Sequence, residues 1–343
     1  MDKMQESYDS NIKSKCATCG TQKKITDLWE PRWQWDMKGL LCKTCFDNKE
    51  GDFKAKKEFC VLCNKKIGFI GGGNMAEALV NGLVSASFIK SKSIFVSEPS
   101  KSKRDALHAK YKIKVTGDNH ELVKKCDILI LAVKPQILKV VLRDIRTLVG
   151  SDKLVISVAA GVPISIMDGA LRGDSKKKFS VVRTMPNTPA LVQEGVTAIA
   201  RGKHVSKMDI KIAHRIFEAV GCTVDVDEDQ LDAVTGLSGS GPAYIFMLIE
   251  SLSDAGVKMG LSREVANTLT IQTILGSAKL ARVTGKHPGE LKDMVTSPAG
   301  TTIAGLHALE EGGLRTTMMN AVEDATLRSR ELGHIALTES DDD

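Results

Sequence analysis

The sequence predicts an α/β domain with a mostly parallel sheet, followed by an all-helical region and preceded by a small cysteine-rich module. Three observations predict it. Apolar runs of strand length alternate with helical stretches from Lys66 to Val226, the pattern of a sheet wound by right-handed crossovers. After Val226 the strand-like runs stop and the chain reads as helix. Six of the eight cysteines (16, 19, 42, 45, 60 and 63) and all three tryptophans (29, 33 and 35) fall in the first 63 of 343 residues. A chain of this length suggests two domains and a small addition. With 42% hydrophobic and 26% charged residues it can bury a sizeable core.

The segment 1–65 comes first. Cys16-x-x-Cys19, Cys42-x-x-Cys45 and Cys60-x-x-Cys63 form three knuckles separated by 22 residues (20–41) and 14 residues (46–59). Two such pairs close a four-thiolate zinc site, and a site closed by four protein ligands is structural. No histidine precedes His108, so sulfur alone must serve. CATCGTQKKI (16–25) and CVLCNKKI (60–67) look like one element repeated. We therefore expect Zn2+ on Cys16, Cys19, Cys42 and Cys45. Cys60 and Cys63 are a truncated second unit, free or meeting the same pair of a neighbouring subunit. The tryptophans read better as a miniature core around the metal than as a stacking surface for single-stranded nucleic acid.

Next comes the α/β part, 66–226. KIGFIGGGN is a buried strand entering a glycine turn, and 75–87 a helix. SIFVSEP (93–99) is a strand, followed by a charged helix to about 110. DILILAV (127–133) is a continuous apolar run, as in a strand covered on both faces. A helix follows Pro135. LVISVAAG, FSVVRTMP, VTAIA and CTVDV supply further strands. The helical region, 227–334, divides into 228–258, 262–283, 287–295, 301–311 and 313–332. Ala243, Phe246, Ile249, Leu252, Gly256 and Met259 make an apolar stripe at helical spacing. Such stripes are too broad for one layer of a monomer, so this region is read as an intersubunit domain. A short acidic tail, 335–343, ends the chain.

No run of about 18 apolar residues occurs, so no membrane span is expected. The first residues lack the apolar core of a signal peptide, and cytoplasm is the expected compartment. Net charge is +6, of which residues 1–66 supply +4 (14 Lys and Arg minus 10 Asp and Glu). That is too mild to imply a nucleic-acid partner.

Gly71-x-Gly73-x-x-Ala76 follows a strand and opens a helix. This is the Rossmann fingerprint in its required context. The first glycine makes the turn, the second admits a pyrophosphate to the backbone, and the small third residue lets helix and strand pack. Glu98, at the end of the next strand, can accept from a ribose 2′-hydroxyl, which favours NAD. Lys101, Lys103 and Arg104 follow at once and can bind a 2′-phosphate, so the choice between NADH and NADPH stays open.

From Lys66 to Leu332 the motifs, in order, resemble those of pyrroline-5-carboxylate reductases. They are IGFIGGGNMAEAL, ILAVKPQ, VAAGV, VRTMPNTPA, AVTGLSGSGPAY, GVKMGL and HPGELKDMVTSPAGTT. The resemblance implies a Rossmann domain, a helical dimerisation domain and an active site shared across a homodimer or larger homo-oligomer. It implies reduction of 1-pyrroline-5-carboxylate to L-proline with NAD(P)H, the last step of proline, hence amino-acid, biosynthesis. By motif, Ile70, Gly71, Gly72, Gly73, Asn74 and Met75 would hold the pyrophosphate, with Glu98 and Asn119 by the adenosine ribose. Ala132, Val133, Lys134 and Pro135 would line the nicotinamide ribose, and Val158, Ala159 and Ala160 the nicotinamide. Glu228, Ser297, Gly300, Thr301 and Thr302 would hold the substrate. Met294 stands where the family often has Asn, and SPAGTT where it often has SPGGAT.

An imine that is protonated is already a strong electrophile, so geometry can supply most of the effect. The substrate carboxylate needs anion binding. Ser297-Pro298 reads as a helix start whose free N–H groups provide it. Thr302 is the candidate polar partner of the ring nitrogen. His287, before Pro288 at a helix start, reads as a capping residue. Cys126 and Cys222 read as buried hydrophobes. Two other readings remain. One is a Rossmann reductase of other imines or hydroxy acids, against which SGSGPAYIF lacks the expected lysine. The other is a zinc-bearing redox-sensing or binding protein.

Overall fold

A computed structural model describes residues 61, 62 and 64–338, together with four short strands of the N-terminal segment. These strands are β1 (Lys13–Lys15), β2 (Gln22–Lys24), β3 (Leu28–Trp29) and β4 (Leu41–Cys42). β1 pairs antiparallel with β2, and β3 with β4. Cys42 ends β4. Cys16, Cys19, Cys45, Cys60 and Cys63 lie outside the described residues, and so does the expected zinc site. Among the described residues no cluster of three or more His, Cys, Asp or Glu is placed to hold a metal.

The remaining strands form one eight-stranded sheet in the order β12-β11-β10-β9-β8-β5-β6-β7. They are β5 (Ile67–Ile70), β6 (Ile94–Ser97), β7 (Lys114–Thr116), β8 (Ile128–Leu131), β9 (Leu154–Ser157), β10 (Ser180–Met185), β11 (Gly195–Arg201) and β12 (Gly221–Asp225). Every neighbouring pair is parallel except β10 with β11. β5, β6, β8 and β9 are buried throughout, as expected of strands covered by helices on both faces.

The helices that wind this sheet are α1 (Asn74–Ser85), α2 (Lys101–Tyr111), α3 (Asn119–Lys125), α4 (Pro135–Ile145), α5 (Ile164–Arg172) and α6 (Lys207–Phe217). Their apolar sides close a core that includes Leu122, Leu129, Leu138, Leu142, Met167 and Phe179. Local signals set several ends. Asp118 caps α3 by accepting from His120 N at 2.8 Å. Ser206 and Asp209 form a capping box on α6. The sheet order starts at β5, runs out to β7 and returns to β8. The strand ends of β5 and β8 therefore diverge into different connections, which is the crevice where such sheets take ligands.

The helical stretches become α7 (Leu231–Val234), a π-helical turn at Thr235–Gly239, α8 (Gly241–Lys258), α9 (Arg263–Thr284), α10 (Pro288–Met294), α11 (Thr301–Glu311) and α12 (Leu314–Thr338). Contacts divide the chain into two compact units. One comprises Met1–Phe59 and Ala243–Met318, the other Cys60–Pro242 and Met319–Asp343. The first contains most of α8 and all of α9, α10 and α11. Phe246, Leu252 and Met259 of the α8 stripe are exposed within the single chain. The second unit contains the sheet and the C-terminal part of α12.

Four sequence expectations change. β7 is an additional strand, unmarked in the sequence because KVT sits between charged stretches and only half-buries its residues. α12 continues to Thr338, so the helix takes in the first residues of the segment read as a tail. Ser297-Pro298 does not start a helix; α11 opens at Thr301 behind Gly300. Cys126 is buried as expected, but Cys222 is exposed, because β12 is an edge strand.

Candidate active site

The glycine turn sits at the crevice between β5 and β8. Gly71 adopts φ +100°, open to glycine but strained for L side chains. A Cβ there would lie 2.5 Å from the Ala132 carbonyl oxygen. Gly71 N donates to Ser97 O at 2.8 Å, and Ala132 N to Ile70 O at 2.8 Å. The turn is thereby tied to the ends of both flanking strands. Gly73 is the N-cap of α1 and supplies no side-chain cap. A Cβ on it would meet nothing within 4 Å. Asn74 is exposed, whereas Ala76 is buried against the sheet. Backbone N–H groups at a helix start, bordered by open space, suit a pyrophosphate. The residues present therefore fit a dinucleotide.

One acid stands in the first turn of that helix. Glu77 Oε1 accepts from Lys110 Nζ at 2.9 Å and from Tyr111 Oη at 3.0 Å. The Lys110 contact holds the Glu77 carboxyl below its usual range, and the pair ties the first turn of α1 to the end of α2.

At the end of β6, Ser97 Oγ donates to Asn119 Oδ1 at 2.7 Å, which brings Asn119 to the expected ribose end. Glu98 is buried, and its carboxylate accepts from Gly72 N and Ser100 N at 3.0 and 3.1 Å. On the other side of the crevice, Ala132 and Val133 are half-buried and exposed Lys134 is the N-cap of α4, with Pro135 at its first position. The loop after β9 is held from within. Ala159 N donates to Ser157 Oγ at 3.2 Å, and Thr184 Oγ1 donates to Ser157 O at 2.8 Å. Val158 and Ala160 are half-buried, whereas Ala159 between them is buried in the core.

Glu228 lies just before α7. Its Oε1 accepts from Ile164 N at 2.6 Å and stands 3.4 Å from Arg183 Nη1. Arg183 is 5% exposed and also lies 3.8 Å from Asp232 Oδ1, which accepts from Ser329 Oγ at 2.7 Å. Sequence reading missed this network. Its members come from β10, the α7 region and α12, and Asp232 and Ser329 are 97 residues apart, so no local spacing signals it. Part of the TGLSGSG block is packing: a Cβ on Gly236 would lie 2.6 Å from the Val322 carbonyl oxygen.

Ser297, Pro298, Ala299, Gly300, Thr301 and Thr302 belong to the other compact unit of the chain. Gly300 is the N-cap of α11 without a side-chain cap, Thr301 is exposed and Thr302 half-buried. Ala299 sits at φ +54°. His287 Nδ1 accepts from Gly289 N at 3.1 Å, the capping role expected of it.

A parallel sheet with a glycine turn at its crevice, joined to a helical region, defines a dinucleotide-dependent oxidoreductase of the Rossmann class. Residues 66–161 match the family described as NADP oxidoreductase, coenzyme F420-dependent, and residues 228–332 that described as pyrroline-5-carboxylate reductase dimerisation. Pyrroline-5-carboxylate reductase of Methanosarcina acetivorans is 52% identical over 270 residues, covering 79% of this chain and 98% of that protein. The Arabidopsis thaliana reductase is 44% identical, covering 78% and 95%. Among solved structures, the Coxiella burnetii reductase superposes with TM-score 0.73 at 38% identity, covering 78% of this chain and 98% of that one. The Plasmodium falciparum reductase with NADP bound gives TM-score 0.71 at 38% identity, covering 79% and 98%. The chain belongs to the pyrroline-5-carboxylate reductase family. No helix among the described residues is long and apolar enough to cross a membrane.

Proposed function

We propose that this chain reduces 1-pyrroline-5-carboxylate to L-proline, the last step of proline biosynthesis, as a homo-oligomer. The observation that carries the reading is the 52% identity that spans 98% of the M. acetivorans reductase. When bound, the reduced nicotinamide supplies the hydride. The chain's own residues then have defined tasks. Ile70 to Met75 take the pyrophosphate on the open start of α1. Ala132 to Pro135, and Val158 to Ala160 braced through Ser157, line the nicotinamide end. The exposed N–H groups at the start of α11 hold the substrate carboxylate, helped by Ser297 and Thr301. Thr302 hydrogen-bonds the ring nitrogen. Glu228, oriented by Ile164 N and Arg183, is the acid on the substrate side. A second copy completes the site, since the helical residues match a dimerisation family. The test is oxidation of NADH or NADPH by the full chain with pyrroline-5-carboxylate. Turnover is expected, and its absence would refute the reading. Thr302→Val should lower kcat/KM about 10- to 100-fold, the effect of losing one hydrogen bond to the ring nitrogen; an unchanged value removes Thr302 from its role.

The N-terminal segment is proposed to hold one structural Zn2+ on Cys16, Cys19, Cys42 and Cys45. Its support is the strand pairing. Lys15 opposes Gln22, so residues 16–21, with the first knuckle, connect β1 to β2. The second knuckle begins on Cys42, the last residue of β4. Ladders of three and two pairs are too small to persist alone, and a four-thiolate metal supplies the missing folding free energy. Elemental analysis of the purified chain should give one zinc. Two per chain, or none, would refute the assignment.

A further inference from the structure

The end of β6 offers an acid and three cations, and the sequence does not choose between them. The geometry does. Glu98 is 9% exposed. Its Oε2 accepts from Gly72 N at 3.0 Å, its Oε1 from Ser100 N at 3.1 Å, and its own N–H donates to Thr116 O at 3.0 Å. The carboxylate thus rests on the glycine turn and cannot swing aside without uncovering two amides. Gly72 makes this possible: a Cβ there would lie 3.1–3.2 Å from Cβ, Cγ and Oε2 of Glu98. Arg104 is turned away from the same task. Its Nη1 donates to the carbonyls of Glu98 and Pro99 at 2.6 and 2.8 Å, and a Cβ on Gly117 would stand 3.2 Å from it. It clamps the β6–α2 connection instead of facing a ligand. Lys101 and Lys103 are exposed, where solvent and salt screen their charge.

We propose that Glu98 makes this chain select NADH over NADPH. The remaining lone pairs of the carboxylate accept from the adenosine 2′-hydroxyl. Its fixed charge, held in the buried floor of the turn, repels a 2′-phosphate. The proposal rests on the reductase reading for the presence of a dinucleotide, but its test needs no turnover.

The test is calorimetric titration of the full chain, without substrate, by NADH and NADPH. Competing titrations use adenosine 5′-diphosphate and adenosine 2′,5′-bisphosphate. NADH is expected to bind at least about tenfold more tightly, and the ratio should shrink as KCl is raised, because salt screens the repulsion. Glu98→Gln keeps the side-chain length and removes the charge, and should bring the ratio towards one. Equal or tighter binding of NADPH by the unaltered chain, a preference for NADH that grows with salt, or an unchanged ratio in the variant would each overturn the proposal. The first two outcomes are read on the unaltered chain, so the proposal stays open to refutation even if Glu98→Gln misfolds. Failure to bind either nucleotide would remove the reductase reading with it, whereas equal binding removes this proposal alone.

Discussion

Oε1 of Glu228 accepts a hydrogen bond from the backbone N–H of Ile164 at 2.6 Å. Ile164 is the first residue of α5, and the N-cap, Pro163, has no side chain that can satisfy its amide. A residue 64 positions away in sequence therefore does the capping, and the same oxygen faces the buried guanidinium of Arg183 at 3.4 Å. One carboxylate ties the loop after β9 to the strand β10 and to the start of the helical region.

Glu228→Ala should cost about 1–3 kcal/mol of stability, since it orphans an amide and leaves Arg183 with Asp232 as its remaining ion-pair partner among the described residues. Glu228→Gln keeps an acceptor for Ile164 and should lose less. Guanidinium unfolding of both variants checks this; equal stability of the alanine variant and the parent would contradict it.

The two glycines of the fingerprint should fail differently. Gly71→Ala forces a side chain into φ +100° and against Ala132 O, so it should destabilise the fold by about 2–4 kcal/mol. Gly73 has φ −79° and open space around it. Gly73→Ala should leave the melting temperature within about 2 °C while weakening dinucleotide binding about tenfold. Melting curves and titrations, run in parallel, separate the two.

Cys126 and Cys222 should differ in reactivity. Burial pushes the Cys126 thiol up to about 12, which keeps it protonated and unreactive, while Cys222 is exposed. Iodoacetamide at about pH 8, read by peptide mass mapping, should label Cys222 and spare Cys126 in the native chain. The folded thiol binds its proton more tightly than the unfolded one. Its contribution to stability is therefore present below about pH 9 and lost as pH rises from there to about 12. Labelling of native Cys126 at the rate of Cys222 would contradict this.

Ala299 stands at φ +54° in the loop before α11, a conformation that costs a non-glycine residue about 1 kcal/mol. Ala299→Gly removes that strain but loosens the unfolded chain, so a net gain of about 0.5 kcal/mol is expected. A clear loss of stability in urea unfolding would refute it.

Much of the fold was legible because its signals are local. ILIL of β8 and LVIS of β9 are apolar throughout, as strands buried on both faces must be, and the glycine turn needs only its own neighbours to be recognised. Pro135 and His287 mark helix starts by their own chemistry. β7 escaped because three residues at a half-buried edge carry no periodic signal. The Ser297-Pro298 pair misled because that signature is permissive: the chain uses it in a loop and opens α11 at Thr301.

By itself, the sequence determined the order of elements, the glycine turn and the knuckle spacing, each carried by residues within a few positions of one another. It left Glu98 and Arg104 as equal claimants to a nucleotide and showed Glu228 only as an isolated acid. Only the tertiary structure decided that Glu98 rests on Gly72, that Arg104 clamps backbone carbonyls and that Glu228 caps α5. These are hydrogen bonds between groups brought together by sheet and helix packing, and a polar group's partner is set by what the fold places within about 3 Å of it, which local spacing does not encode.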